Sequence, residues 1–166
     1  MTFPRFRPLT LALALTFSAL AATASLQPAQ AADETFIVKP SANTVSATLD
    51  KLTALLKAKG ITIFARVDHA AGAKKVGLKL PATQLLIFGN PKLGTPLMGK
   101  NRLMGLDLPM KALAWQDEKG KVWLGYTNPA ALKARHNIEG ADKVFAIMTK
   151  ALGNFTTAAT KGRGSQ

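Results

Sequence analysis

The sequence predicts an α+β domain: strand, helix, four strands, helix, with an antiparallel-rich sheet backed by helices and short helical insertions after the second and third strands. Three observations carry that reading. Val45, Leu49, Leu52 and Leu56 recur at steps of four, three and four, one face of an amphipathic helix. Ile61 to Asp68 alternates in character, the pattern of a two-faced strand, and Thr83 to Phe88 is almost continuously apolar, which suits the middle of a sheet. Two further β-rich runs, Pro109 to Asp117 and Lys121 to Thr127, flank Glu118-Lys119-Gly120 and read as a hairpin. Runs of strands beside amphipathic helices pack as a sheet with helices on one face.

Each element has its own signals. Glu34 to Lys39 is β-rich and should stop at Pro40; Ser41 or Asn43 can cap the first helix, and Gly60 suits the left-handed residue beyond its end. Along Ile61–Asp68 the alternation places Ile61, Ile63, Ala65 and Val67 on one face. His69 to Lys75 reads as a short helix ended by Gly77. Asn90-Pro91 opens an irregular helical stretch, because proline is tolerated at a first helical position, and Thr95-Pro96 predicts a kink or a second short turn. Asn128-Pro129 opens a helix to His136. A last helix is expected over about Gly140 to Leu152, with Val144, Met148 and Leu152 aligned and Gly153 as its stop. The small, polar stretch 156–166 is expected to be a disordered tail.

The amino terminus reads as an export signal, residues 1–31. Arg5 and Arg7 precede an apolar run from Leu9 to Ala22, and Ala29-Gln30-Ala31 supplies small residues where a signal peptidase cuts. The expected location is periplasmic, without a lipid anchor, since the chain has no cysteine, and without a membrane span in the mature form. The remainder, from Ala32, is one domain's length of chain whose stability comes from packing rather than disulfides.

The 166 residues carry 22 Lys and Arg against 9 Asp and Glu, a formal charge of +13. That balance favours anionic partners. Lysines are spread along the whole chain rather than gathered in one stripe, which argues against nucleic acid. No Gly-x-Ser-x-Gly elbow, thiol or His-x-x-x-His pair occurs. Gly89 to Thr95 has the glycines of a phosphate loop but lacks its lysine, and Pro91 removes an amide donor.

The motifs Val67-Asp68-His69, Gly89-Asn90-Pro91, Gly94-Thr95-Pro96-Leu97-Met98 and Gly105-Leu106-Asp107-Leu108-Pro109, followed by Trp123, Tyr126, Pro129 and Arg135-His136, occur in this order. In this word order the chain resembles the bacterial and archaeal domain of unknown function 302, over residues 34–152 of a domain placed at 32–155. The resemblance implies the same α+β arrangement and a homodimer; it implies no activity, because the family has no established biochemical role. The chain departs from the family's pattern at Arg102, where proline is usual, and at Thr127-Asn128, where Asn-Asp is commoner.

Two functional readings follow. The first is a non-enzymatic domain that binds a small or anionic ligand or a partner protein, with no cofactor. Both Asn-Pro junctions would present free helix-end amides, and Asn90, Thr95, Tyr126 and Asn128 would line an anion notch if the junctions lie side by side. The second is a metal-handling or catalytic site built from Asp68, His69, Arg135 and His136, since a carboxylate-held imidazole can shuttle protons or bind metal. His69 and His136, with Met98 as a soft ligand, would hold the metal.

Overall fold

The apolar spacing of the sequence is realised as a five-stranded sheet with its helical layer on one face. The computed structural model describes residues 35–162. The expected export signal at 1–31 and residues 163–166 lie outside that range. Within it the order is β1 (Phe36–Ser41), α1 (Val45–Ala58), β2 (Thr62–Asp68), α2 (His69–Lys75), β3 (Thr83–Gly89), α3 (Pro91–Lys100), a 3-10 turn (Arg102–Leu106), β4 (Met110–Gln116), β5 (Val122–Thr127), α4 (Pro129–Arg135) and α5 (Asp142–Thr160). The strands lie in the order β1-β5-β4-β3-β2 and every neighbouring pair is antiparallel.

Alternation decides which side is buried. Leu86 and Phe88 on β3, Met110, Ala112 and Ala114 on β4, and Leu124 and Tyr126 on β5 are buried beneath α1 and α5. From α1 the predicted Val45, Leu49, Leu52 and Leu56 all enter this core. Its N-cap is Thr44, whose side chain accepts from the Ala47 amide, rather than Ser41 or Asn43. Those two bind elsewhere: Ser41 shares a hydrogen bond with Thr48, and Asn43 donates to the carbonyls of Ala159 and Lys161.

Four expectations are corrected. Strand β1 runs through Pro40 to Ser41, because β1 is an edge strand where a missing amide hydrogen need not break a ladder. The simple alternation of β2 fails at a bulge between Ile63 and Ala65. Ile63 pairs with Phe88 on the helix side, but beyond the bulge Arg66 takes that side opposite Leu86, and Ala65 and Val67 fall on the open side. Helix α3 runs through Pro96 as one element rather than two successive short turns, and Pro96 forfeits only a bond to the carbonyl of the exposed Lys92.

The largest correction concerns the carboxyl end. Helix α5 does not stop at Gly153; it continues to Thr160, so residues 156–160 are helix rather than a disordered tail. Thr156 and Ala159 are fully buried against the rest of the fold. Thr156 donates its hydroxyl hydrogen to the Leu152 carbonyl at 2.7 Å, and Thr160 donates to Thr156 at 2.9 Å. These residues bury as helix formers because their polar atoms bond back one turn.

Leu52 has no exposed surface. Replacing it with Ala should cost about 2–5 kcal/mol in chemical denaturation; a loss below about 0.5 kcal/mol would contradict its burial.

Candidate functional site

The end of the sheet where β3 finishes and β4 begins is closed by the segment from Asn101 to Pro109. On its inner side lies an apolar cavity of about 250 Å³. Met148, Leu152 and Phe155 of α5 and Leu56 of α1 form one wall; Phe88, Gly89 and Phe64 form another. Helix α3 contributes Leu93, Gly94, Thr95 and Met98, the closing segment contributes Gly105, Leu108 and Pro109, and β4 contributes Met110. Close approach explains Gly89: a Cβ there would lie 3.4 Å from both the Phe64 ring and the Pro109 Cβ. Tight contacts of this kind leave a cavity whose shape depends on a few side chains.

The outer side of the same segment is stapled to the end of α4. Asn101 donates its side-chain amide to the His136 carbonyl at 3.0 Å while accepting from the Leu103 amide. Six residues on, the Asp107 carboxylate receives Arg135 Nη1 on both oxygens, at 3.0 and 3.1 Å, and lies 2.6 Å from His136 Nε2. An ionised carboxylate only accepts, so Nε2 carries the hydrogen and donates. His136 is buried, at 8% exposure, and its ring makes this contact from inside the fold. Lys111 Nζ adds bonds to the carbonyls of Asp107 and Pro109. Thus His136 grips both ends of the turn, one through its backbone and one through its ring.

Burial pushes the Asp107 carboxyl up, but the hydrogen bonds of His136 and Arg135 and the guanidinium charge outweigh it, leaving the acid below the usual carboxylate range. Burial of Tyr126 pushes its phenol up, partly offset by a hydrogen bond with Thr156.

The predicted residues divide between the two ends of the sheet. Asp68 pairs in register with Gln84, and Gln84 with Ala114, whereas Phe88 pairs with Met110. Asp68 and His69 therefore lie at the end opposite the cavity and His136. The His69/His136 pair, with or without Met98, does not form one metal site, and among the described residues no group of three His, Asp or Glu side chains is placed to hold an ion. Asp68 caps α2 by accepting from the Ala71 amide at 2.8 Å and accepts from Gln84. Those bonds hold its carboxyl below the usual range.

The anion notch is also not assembled. Asn90 and Asn128 stand at one end of the sheet, but β4 lies between their strands. Each caps its own helix, Asn90 accepting from the Lys92 amide and Asn128 from the Ala130 amide, so donors the notch required are already used. Asn90 and Thr95 line the cavity instead, and Tyr126 is buried in the core. From the sequence, Asp68 stood beside His69 and Arg135 beside His136, with no carboxylate adjacent to His136. The real partner, Asp107, is 29 residues from His136; Gly105-Leu106-Asp107-Leu108-Pro109 stood among the family motifs, but its spacing gave no hint of that contact.

An α+β sheet with one helical face, a motif-lined cavity and an Asp–Arg–His staple is the class these features define. The chain belongs to the family described as domain of unknown function DUF302, whose model matches residues 37–155. A solved structure, that of an uncharacterized conserved DUF302 protein from Bacillus stearothermophilus, superposes with a TM-score of 0.69 over 77% of this chain and 99% of that one; at 19% identity the likeness is one of fold. Curated relatives named fluoride-specific ion channel FluC 1, from Brucella suis and Brucella abortus, and FluC 2, from Brucella melitensis, are each 46% identical over 124 residues. Those residues are 75% of this chain, and the chain spans about half the length of these relatives.

Because the folded state lowers the Asp107 pKa, its stabilisation is present above the unfolded value of about 3.9 and is lost as pH falls through the folded value. Asp107→Asn should therefore cost about 1–3 kcal/mol at pH 7 and progressively less as pH falls below about 4. Urea titrations across that range measure it; a cost independent of pH would contradict the ionic role.

Proposed function

We propose that this domain is a non-enzymatic binder of small amphipathic acids, the apolar body seated in the cavity and the anionic end turned to the basic surface around it. The observation that carries the reading is the apolar cavity of about 250 Å³ lined by family motif residues. A dry, purely apolar cavity of about 150 Å³ suffices to take up benzene in another protein, so this volume suits a ring or a short chain. Its methionines, Met98, Met110 and Met148, adapt to irregular apolar shapes. The neighbouring elements, α3 and the 3-10 turn, contain Lys92, Lys100 and Arg102 and no acid. That asymmetry favours a carboxylate over a neutral ligand.

Fluoride transport does not come to this chain with its relatives' name. Among the described residues no helix is long and apolar enough to cross a membrane, so we read the shared 124 residues as a binding domain attached to a channel in those relatives. The export signal supports a periplasmic place of action. The open sheet face supports a homodimer: Leu85, Ile87, Leu113, Trp115 and Trp123 are only half-buried there, with Val38 exposed. Native mass spectrometry of the protein recovered from periplasm tests both. It should read twice the mass of a chain beginning at Ala32; a monomer, or a chain retaining residues 1–31, would overturn the corresponding proposal.

Thermal shift with octanoate and octanol tests the ligand class. Octanoate should stabilise the protein more than octanol, and Ala151→Phe, which fills the cavity from α5, should weaken octanoate binding at least about tenfold with the fold retained. Equal shifts for the two would remove the acid preference. Absence of both would sink the cavity as a binding site.

A further inference from the structure

We propose that the turn following α2, from Lys74 to Leu80, docks on an anionic lipid bilayer. Every residue from Lys74 to Ala82 is exposed. Within this strip Val76, Leu78 and Leu80 are 71%, 66% and 45% exposed, three branched aliphatics in five residues. Isolated exposed leucines are ordinary, but a run of them held out by an ordered turn marks an interaction surface. The turn is ordered by its own hydrogen bonds: the Val76 and Leu78 amides both donate to the Ala73 carbonyl, at 3.1 and 2.9 Å. Gly77 takes the φ of +77° that this reversal needs.

The charges around the strip select the partner. Lys74 and Lys75 occupy the last turn of α2, and Lys79 separates Leu78 from Leu80. From His69 to Gln84 the chain has three Lys and no Asp or Glu. The nearest acid in sequence, Asp68, is engaged by the Ala71 amide and Gln84. Aliphatic side chains flanked by lysines match the boundary of a bilayer, where the apolar groups enter the acyl region and the ammonium groups meet phosphates. A nucleic acid supplies phosphates but no apolar phase, and a second copy would bring the same lysines into opposition. Shallow insertion and charge together give the two signals that reversible anchoring requires. Each lysine near an anionic leaflet multiplies partitioning by roughly five, so three contribute on the order of a hundredfold.

The absence of cysteine makes the test site-specific. The full chain carrying Leu78→Cys, labelled with an environment-sensitive nitrobenzoxadiazole dye, is mixed with vesicles of phosphatidylcholine containing phosphatidylglycerol, with phosphatidylcholine alone, and with duplex DNA. Leu103→Cys, an exposed position at the opposite end of the sheet, is the control. The dye at 78 should shift to the blue only on the mixed vesicles, and the dye at 103 should not respond. Joint replacement of Lys74, Lys75 and Lys79 by Gln should weaken the response on the order of a hundredfold. Val76→Asp with Leu80→Asp should abolish it while the lysines remain. No shift at 78, an equal shift at 103, or the same shift on duplex DNA would overturn the proposal.

Discussion

His136 fixes the one segment on which the cavity depends. The chain from Asn101 to Pro109 has no strand partner of its own until β4 begins, and its backbone bonds locally: Met104 donates to Asn101, and Asp107 and Leu108 donate to Met104. Side chains then tie it to the end of α4, where the His136 carbonyl receives the Asn101 amide group and the ring meets the Asp107 carboxylate. Arg135 supplies a cation to the Asp107 carboxylate, offsetting the burial that disfavours its charged form. A charged pair is a weak source of net stability once desolvation is counted, but removing one partner leaves a costly orphan. Its effect here is geometric: it sets where Gly105, Leu108 and Pro109 stand, and these are cavity wall.

The cavity itself follows from how the helical layer meets the sheet. Helices α1 and α5 pack across the sheet, with α1 reaching β2 through Arg66, and the bulge in β2 carries Phe64 to the cavity rim. Helix α3 and the stapled turn close what remains, with Gly89, Gly94 and Gly105 among the lining residues. The family motifs thus do two jobs at one sheet end. Some make the wall, and others hold it.

Much of this fold was legible because local physics and tertiary packing agree. The four-residue face of α1, the inner strand β3 and the β4–β5 hairpin were all implied by spacing, and each is where its pattern placed it. The misreadings arise where tertiary contacts overrule a local signal. Gly153 reads as a helix stop, yet Thr156 and Ala159 beyond it have a core to fill, so α5 continues. Pro40 reads as a strand end, yet on an edge it costs nothing. The site was legible only in its parts: Asn90, Thr95, Arg135 and His136 were singled out, but the sheet, not the sequence order, decides that Asp68 and His69 sit at the far end and that Asp107 meets His136.

The described chain has four methionines, and they report on the cavity from within: Met98, Met110 and Met148 line it, whereas Met104 is wholly buried outside it. Methyl resonances of labelled methionines, followed as octanoate is added, therefore test ligand binding in the cavity. The three lining methyls should shift together and saturably while Met104 holds its position. Unmoved resonances at Met98, Met110 and Met148, or equal shifts at all four, would contradict that binding.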